Sequence, residues 1–192
     1  MSPKENLIAG ANMLAPLLNS NEFVFEFRNE GRGSGGFFAW GEFVRGDRRI
    51  ELHFRYSLGL VTYHLGALHA RHETYMKELG VLGRNRYPGF SDESLDAFRG
   101  LMHDLHFAAD FLSGTADVLR SAALKEEATD QDKSKELMAG YVGDTRALER
   151  LQGLFHTGQY KEVLAAFQLL KFPERLTNVQ RRMVEVSRER AR

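Results

Sequence analysis

Between residues 48 and 56 the side chains alternate without a break. Ile50, Leu52, Phe54 and Tyr56 fall on one parity, and Arg49, Glu51, His53 and Arg55 on the other. A period of two marks an extended strand with one face in a core and one in water, the arrangement that antiparallel sheets use. The same period runs through Phe23, Phe25 and Phe27, set against Val24, Glu26 and Arg28. Residues 37–45 read as a further strand, tied to the alternating one by a tight turn at Gly46-Asp47. Residues 58–64 could add a fourth, although Gly59 weakens that strand.

Periods of three and four govern nearly everything else. Leu7, Ile8, Ala11, Leu14 and Leu18 place an amphipathic helix over residues 4–18, which Pro16 is expected to end or kink. Leu68, His72, Tyr75, Met76 and Leu79 predict a helix over 66–80, closed by Gly80. Tyr87-Pro88-Gly89-Phe90 reads as a turn. Ser91 or Asp92 then caps a helix to about residue 113, with Leu95, Phe98, Met102, Leu105, Ala109 and Leu112 on one stripe. Residues 115–139 predict a solvated helix interrupted near Thr129-Asp130. Two or three short helices follow, separated at Gly158 and at Phe172-Pro173. Segregated strands and helices make the fold class α+β: an antiparallel sheet of three to four strands over about 22–64, an N-terminal helix and a helical C-terminal half. The chain divides into an α+β core over 1–122 and a helical part over 123–192, expected to form one continuous domain.

Composition narrows the function. Lysine plus arginine number 26 and aspartate plus glutamate 26, so the formal net charge is zero. That excludes a molecule-wide basic field for nucleic acid and an acidic disordered tail. Cysteine is absent, which excludes disulfides and thiolate sites and fits a cytoplasmic location. No apolar run approaches a membrane span, and no signal peptide precedes the first helix.

Local motifs add candidates. Gly31-Arg32-Gly33-Ser34-Gly35-Gly36 has the form G-x-G-x-x-G but joins two strands, so the dinucleotide reading fails, and the other kinase motifs are missing. Arg49, Glu51, His53 and Arg55 form a row of charges, either a solvated face with diagonal ion pairs or an anion or acid–base site. Trp40 and Phe38 share one parity, and Phe37, Ala39 and Phe43 the other, so this strand is either packed on both sides or presents an aromatic binding face. His69, His72 and Glu73 on one expected helix, with His103, His106 and Asp110 on another, could converge on a metal ion if the helices face each other. Against that, His103, His106 and Asp110 fall on a polar stripe and His72 on an apolar one. Gly158, Tyr160, Val163 and Phe167 have the spacing of a tetratricopeptide hairpin without a second copy. Residues 174–192 carry net +3 on an amphipathic helix, which leaves open an RNA-binding accessory role, with nucleic acid disfavoured as a partner.

Several stretches together carry a resemblance. They are Trp40-Gly41-Glu42-Phe43-Val44-Arg45-Gly46, His53 to Val61, His72-Glu73-x-Tyr75-Met76, and Tyr87-Pro88-Gly89-Phe90-Ser91 followed by Phe98, Leu101, Asp104 and Leu105. Over residues 22–114 the chain resembles the small bacterial α+β proteins that include polymorphic-toxin immunity proteins. The resemblance implies a cytosolic, non-catalytic protein that occludes a toxin, with a protein partner, no cofactor and no membrane. The side chains expected at such a contact are Arg32, Trp40, Arg49, His53 and Arg55. The alternative is a small metal-dependent hydrolase built on His69, His72, Glu73, His103, His106 and Asp110.

Overall fold

The computed structural model describes residues 1–88 and 93–191. The turn expected over Tyr87–Phe90 and the cap at Ser91 or Asp92 therefore fall wholly or partly outside the described residues. The chain separates into two compact units, residues 1–128 and 129–192.

The first unit opens with α1 (Pro3–Asn19), begun by a reciprocal cap. Ser2 Oγ accepts from the Glu5 amide, and the Glu5 carboxylate accepts from the Ser2 amide. Pro16 does not end this helix. The carbonyl that its ring leaves without a partner belongs to Asn12, four residues back, and both residues are exposed. Then come β1 (Val24–Gly33), β2 (Gly36–Arg45), β3 (Arg48–Phe54), β4 (Leu58–Leu65) and β5 (Leu68–Arg71). They pair in chain order as one antiparallel sheet.

The class is α+β as expected, but the sheet has five strands rather than three to four. Residues 68–71, expected within the 66–80 helix, form β5, and α2 runs only over His72–Glu78. The difference arises at Gly66, whose φ of 58° closes a two-residue turn that brings Leu68 opposite Leu65. The glycine-rich stretch after residue 29 is likewise mostly strand, since β1 runs to Gly33 and β2 starts at Gly36. Tyr56, expected with the core parity, is exposed because β3 ends at Phe54, after a register shift at His53/Phe54.

Beyond the sheet, α3 (Asp96–Leu105) and α4 (Ala109–Leu112) replace the single helix expected to about residue 113. Next, α5 (Asp117–His156) runs unbroken through Thr129-Asp130, where an interruption was expected. No glycine or proline lies between Asp117 and Ala139, and strong helix formers fill that stretch.

The core lies between one face of the sheet and the helices. Phe43, Ile50, Leu52, Phe54 and Tyr63 meet Leu7, Leu14 and Leu18 of α1 and Phe98, Leu101 and Leu105 of α3. Phe54 stacks on Phe98 with ring centres 6.1 Å apart. The second unit, 129–192, holds the end of α5 with α6 (Tyr160–Gln168) and α7 (Asn178–Arg190), packed around Leu151, Val163, Ala166 and Val184. Among the described residues no helix is long and apolar enough to cross a membrane.

Candidate functional site

Strand register places the polar side chains of the sheet in rows on the face opposite the core. Glu26, Glu42, Glu51, Thr62 and Arg71 form one row, and Arg49, His64 and His69 lie in the next, beside Val44. Trp40 lies opposite His53, and their rings stack with centres 5.6 Å apart and planes 5° from parallel. Trp40 thus belongs to the outer face, half-buried against His53, while Ala39 and Phe43 of the same strand enter the core.

Two carboxylates organise this face. Glu42, only 3% exposed, accepts from Arg28 at 2.6 Å and from Arg49 at 3.4 Å. Arg28 also meets Glu26 at 2.5 Å. Glu51 receives His53 Nε2 at 2.5 Å on one oxygen and His64 Nε2 at 3.0 Å on the other. An ionised carboxylate only accepts, so both imidazoles carry their proton on Nε2. Burial draws His64 below its usual range, against the pull of Glu51, and Arg49 and His69 push the same way as burial. The ring of His69 stands 5.9 Å from that of His64.

At one end of the sheet the hairpin turns gather aromatic and arginine side chains. Arg32 lies over the ring of Phe37 at 5.4 Å. Arg55 lies so close to Gly35 that a β-carbon there would overlap its guanidinium. The Tyr56 hydroxyl donates to the Gly35 carbonyl at 2.9 Å. Phe37 is 60% exposed and Tyr56 79%. Phe37 and Phe38 also line a cleft of about 520 Å³ beside Pro3 and Gly31.

Of the five side chains singled out for a contact, the fold places Trp40, Arg49 and His53 on the outer face and Arg32 and Arg55 at the hairpin end of the sheet, Arg32 on the parity of Phe37 and Ala39. The six proposed for a metal are distributed differently. His69 is on β5 rather than on a helix, beside His64. His72 and His103 both turn to Asp104, at 3.1 and 2.9 Å. His106 donates to the Met102 carbonyl at 3.0 Å. Asp110 accepts from the Val118 amide at 3.1 Å, and Glu73 is exposed beside a cleft of about 410 Å³ whose wall includes His72. Among the described residues no group of three or more His, Asp and Glu side chains is placed to hold a metal ion.

Two organising residues escape a reading of the sequence by alternation alone. Glu42 and Glu51 each look like one more polar strand position, and only cross-strand register reveals Arg28 and His64 as their partners. The signal available was Glu26, Glu42 and Glu51 on the outward parity of successive strands, which a paired sheet must compensate with cations or imidazoles. No protein-family model, curated protein or solved structure matches the chain.

Proposed function

We propose that this chain is a non-catalytic binding protein that inhibits a protein partner by covering it, as an immunity protein covers its toxin, and that it works in the cytoplasm. The observation that carries the reading is the hairpin end of the sheet, where Phe37 and Tyr56 are mostly exposed yet fixed beside Arg32 and Arg55. Aromatic and arginine side chains dominate binding energy at protein contacts, and holding them in place beforehand lowers the ordering cost of association. On the outer face Trp40 and His53 stack, rimmed by the Arg28–Glu42–Arg49 pairs. Such a rim gives specificity rather than bulk affinity.

The test is co-expression of this chain with the product of the adjacent gene, followed by titration of the purified pair. A stoichiometric complex is expected, weakened about 30-fold or more by Tyr56→Ala or Arg55→Ala, which corresponds to about 2 kcal/mol for an anchoring side chain. Circular dichroism verifies that each variant is folded. Variants that bind as tightly as the parent, or the absence of any complex, overturn the reading.

A further inference from the structure

The outer face holds three imidazoles close together. Glu51 bridges His53 and His64, and His69 of β5 faces His64 from the neighbouring strand. We propose that these histidines make the face a proton-operated docking surface, which changes from charge-balanced to net positive on acidification and then takes an acidic segment of a partner protein. This rests on the reading of the sheet as a binding surface and adds the partner's chemistry and its control.

The charge count carries the argument. The ionisable groups facing the cluster are Glu26 and Arg28 from β1, Glu42 from β2, Arg49 and Glu51 from β3 with Arg55 two residues beyond His53, and Arg71 from β5 with Glu126 of α5. Four carboxylates against four arginines balance while the imidazoles are neutral. Three imidazolium ions make it three net positive. Imidazole is the side chain that gains charge in mild acid.

Pairing decides where the change is felt. Glu42 is already matched by Arg28 and Arg49, and Glu126 by Arg71 at 2.5 Å. Glu51 is the carboxylate of this face held by imidazoles, so in the neutral state its charge has no permanent cation on it. Protonation of His53 and His64 compensates Glu51 in place, without moving a strand, and the further positive charge at His69 is presented outward. An incoming carboxylate stabilises the imidazolium forms, so docking is coupled to proton uptake. The affinity for an acidic segment must then fall as pH rises.

Two measurements on the intact chain test this. Histidine ring resonances followed by NMR against pH should show His64 titrating further towards acid in Glu51→Gln, because the charge opposing burial has been removed. An unmoved His64 titration overturns the bridge. Binding of a synthetic octaglutamate peptide at about 50 mM salt, where screening is modest, should tighten at least tenfold from pH 7.5 to 5.5. In His53→Gln/His64→Gln/His69→Gln the gain should fall below about threefold, since the other histidines remain. His69→Gln alone, at an exposed position, serves if the triple variant fails to fold and should lose part of the gain. An equal gain in parent and variants overturns the proposal. That outcome leaves a neutral-pH complex through Tyr56 and Arg55 untouched, and loss of such a complex leaves the histidine titration untouched.

Discussion

His72 donates through Nε2 to the carboxylate of Asp104, 3.1 Å away and 32 residues further along the chain, and neither side chain is more than 2% exposed. The Nδ1 of the same ring accepts from the Tyr63 hydroxyl at 2.9 Å. Asp104 takes three more donors: the Arg86 amide at 2.7 Å, the Tyr87 amide at 2.9 Å and His103 Nδ1 at 2.9 Å. One carboxylate therefore joins β4, α2, the segment before α3 and α3 itself. Asp104→Ala leaves two amides and two imidazoles facing a void, and should cost about 3–5 kcal/mol, the range for breaking a buried charged network. Asp104→Asn, which keeps an acceptor, should cost less. Urea unfolding midpoints measure both, and a loss under about 1 kcal/mol for the alanine variant would remove Asp104 from this role.

Acid should act through the same residue. Burial pushes the Asp104 carboxyl up, but the hydrogen bonds from His72, His103 and the two amides outweigh it and hold the group below its ordinary 3.8. A carboxyl depressed by folding contributes stability that is full above its unfolded value and is lost as pH falls through its folded value. The parent chain should thus lose stability below about pH 4, and Asp104→Asn should be flatter across that window. His64 works in a separate window. Its folded value lies below the unfolded 6.5, so its neutral form contributes fully above that pH and the contribution declines on acidification below it. Unfolding midpoints taken at half-unit pH steps separate the two, and equal acid slopes for the parent and Asp104→Asn would exclude the first.

Asp104 shows what can be read from a sequence of this kind and what cannot. It stands on α3 one turn after Leu101 and two turns after Ala97, on an apolar face where an aspartate needs a buried partner. His72 on its own apolar stripe signals the same need. Each half is legible, but their meeting is not, because nothing local specifies contacts across 32 residues. Alternation at residues 48–56 located β3 and its two faces for a similar reason: a period of two is a local consequence of burial on one side. By contrast, β5 was hidden, since four residues that flow into α2 show no independent period and only the turn at Gly66 separates them from β4. The Glu51 bridge was half visible, with His53 two residues away on the same strand and His64 reachable only through register.

Gly10 sits in α1 where a β-carbon would overlap the ring of Phe98, a side chain held in the core against Phe54. Replacing a mid-helix glycine by alanine ordinarily favours the helix by about 1 kcal/mol. Here the ring has no room to retreat, and overpacking costs about 1–3 kcal/mol. Gly10→Ala should therefore destabilise, and Gly10→Val should do so more strongly. Thermal melting decides between the two effects, and a raised melting temperature for Gly10→Ala would show that Phe98 yields.

Burial raises three of the six tyrosines. Tyr87 is pushed up to about 12, Tyr63 lies well above the usual 10 with neighbouring Tyr75 and Asp104 adding to burial, and Tyr75 is raised as well. An acid whose folded value is raised contributes stability that is present below its unfolded value and lost as pH climbs above it. Alkali should therefore unfold this chain from above about pH 10, with these three phenolates appearing together with the loss of circular dichroism. Phenolate absorbance that reaches its full six-tyrosine amplitude while the fold persists would contradict the packing around Tyr63.

Among the described residues of 129–192 the buried apolar side chains are few: Leu151, Val163, Ala166, Leu176 and Val184. Asp144 compensates in part by accepting from the Lys171 and Phe172 amides, each at 2.8 Å, which anchors the segment after α6. Tyr141 packs on Phe172 with ring centres 4.9 Å apart, and Arg175 lies over Tyr141 at 4.3 Å. Removing the carboxylate strands two amides and frees this segment, a loss of about 1–3 kcal/mol. With so small a core, that loss should appear as local opening rather than global unfolding. In Asp144→Ala, amide hydrogen exchange should accelerate about tenfold or more across α6 and α7. Exchange in β2, β3 and β4, whose side chains enter a separate core, should stay within about twofold of the parent. Uniform acceleration through both units would mean that they open as one cooperative body.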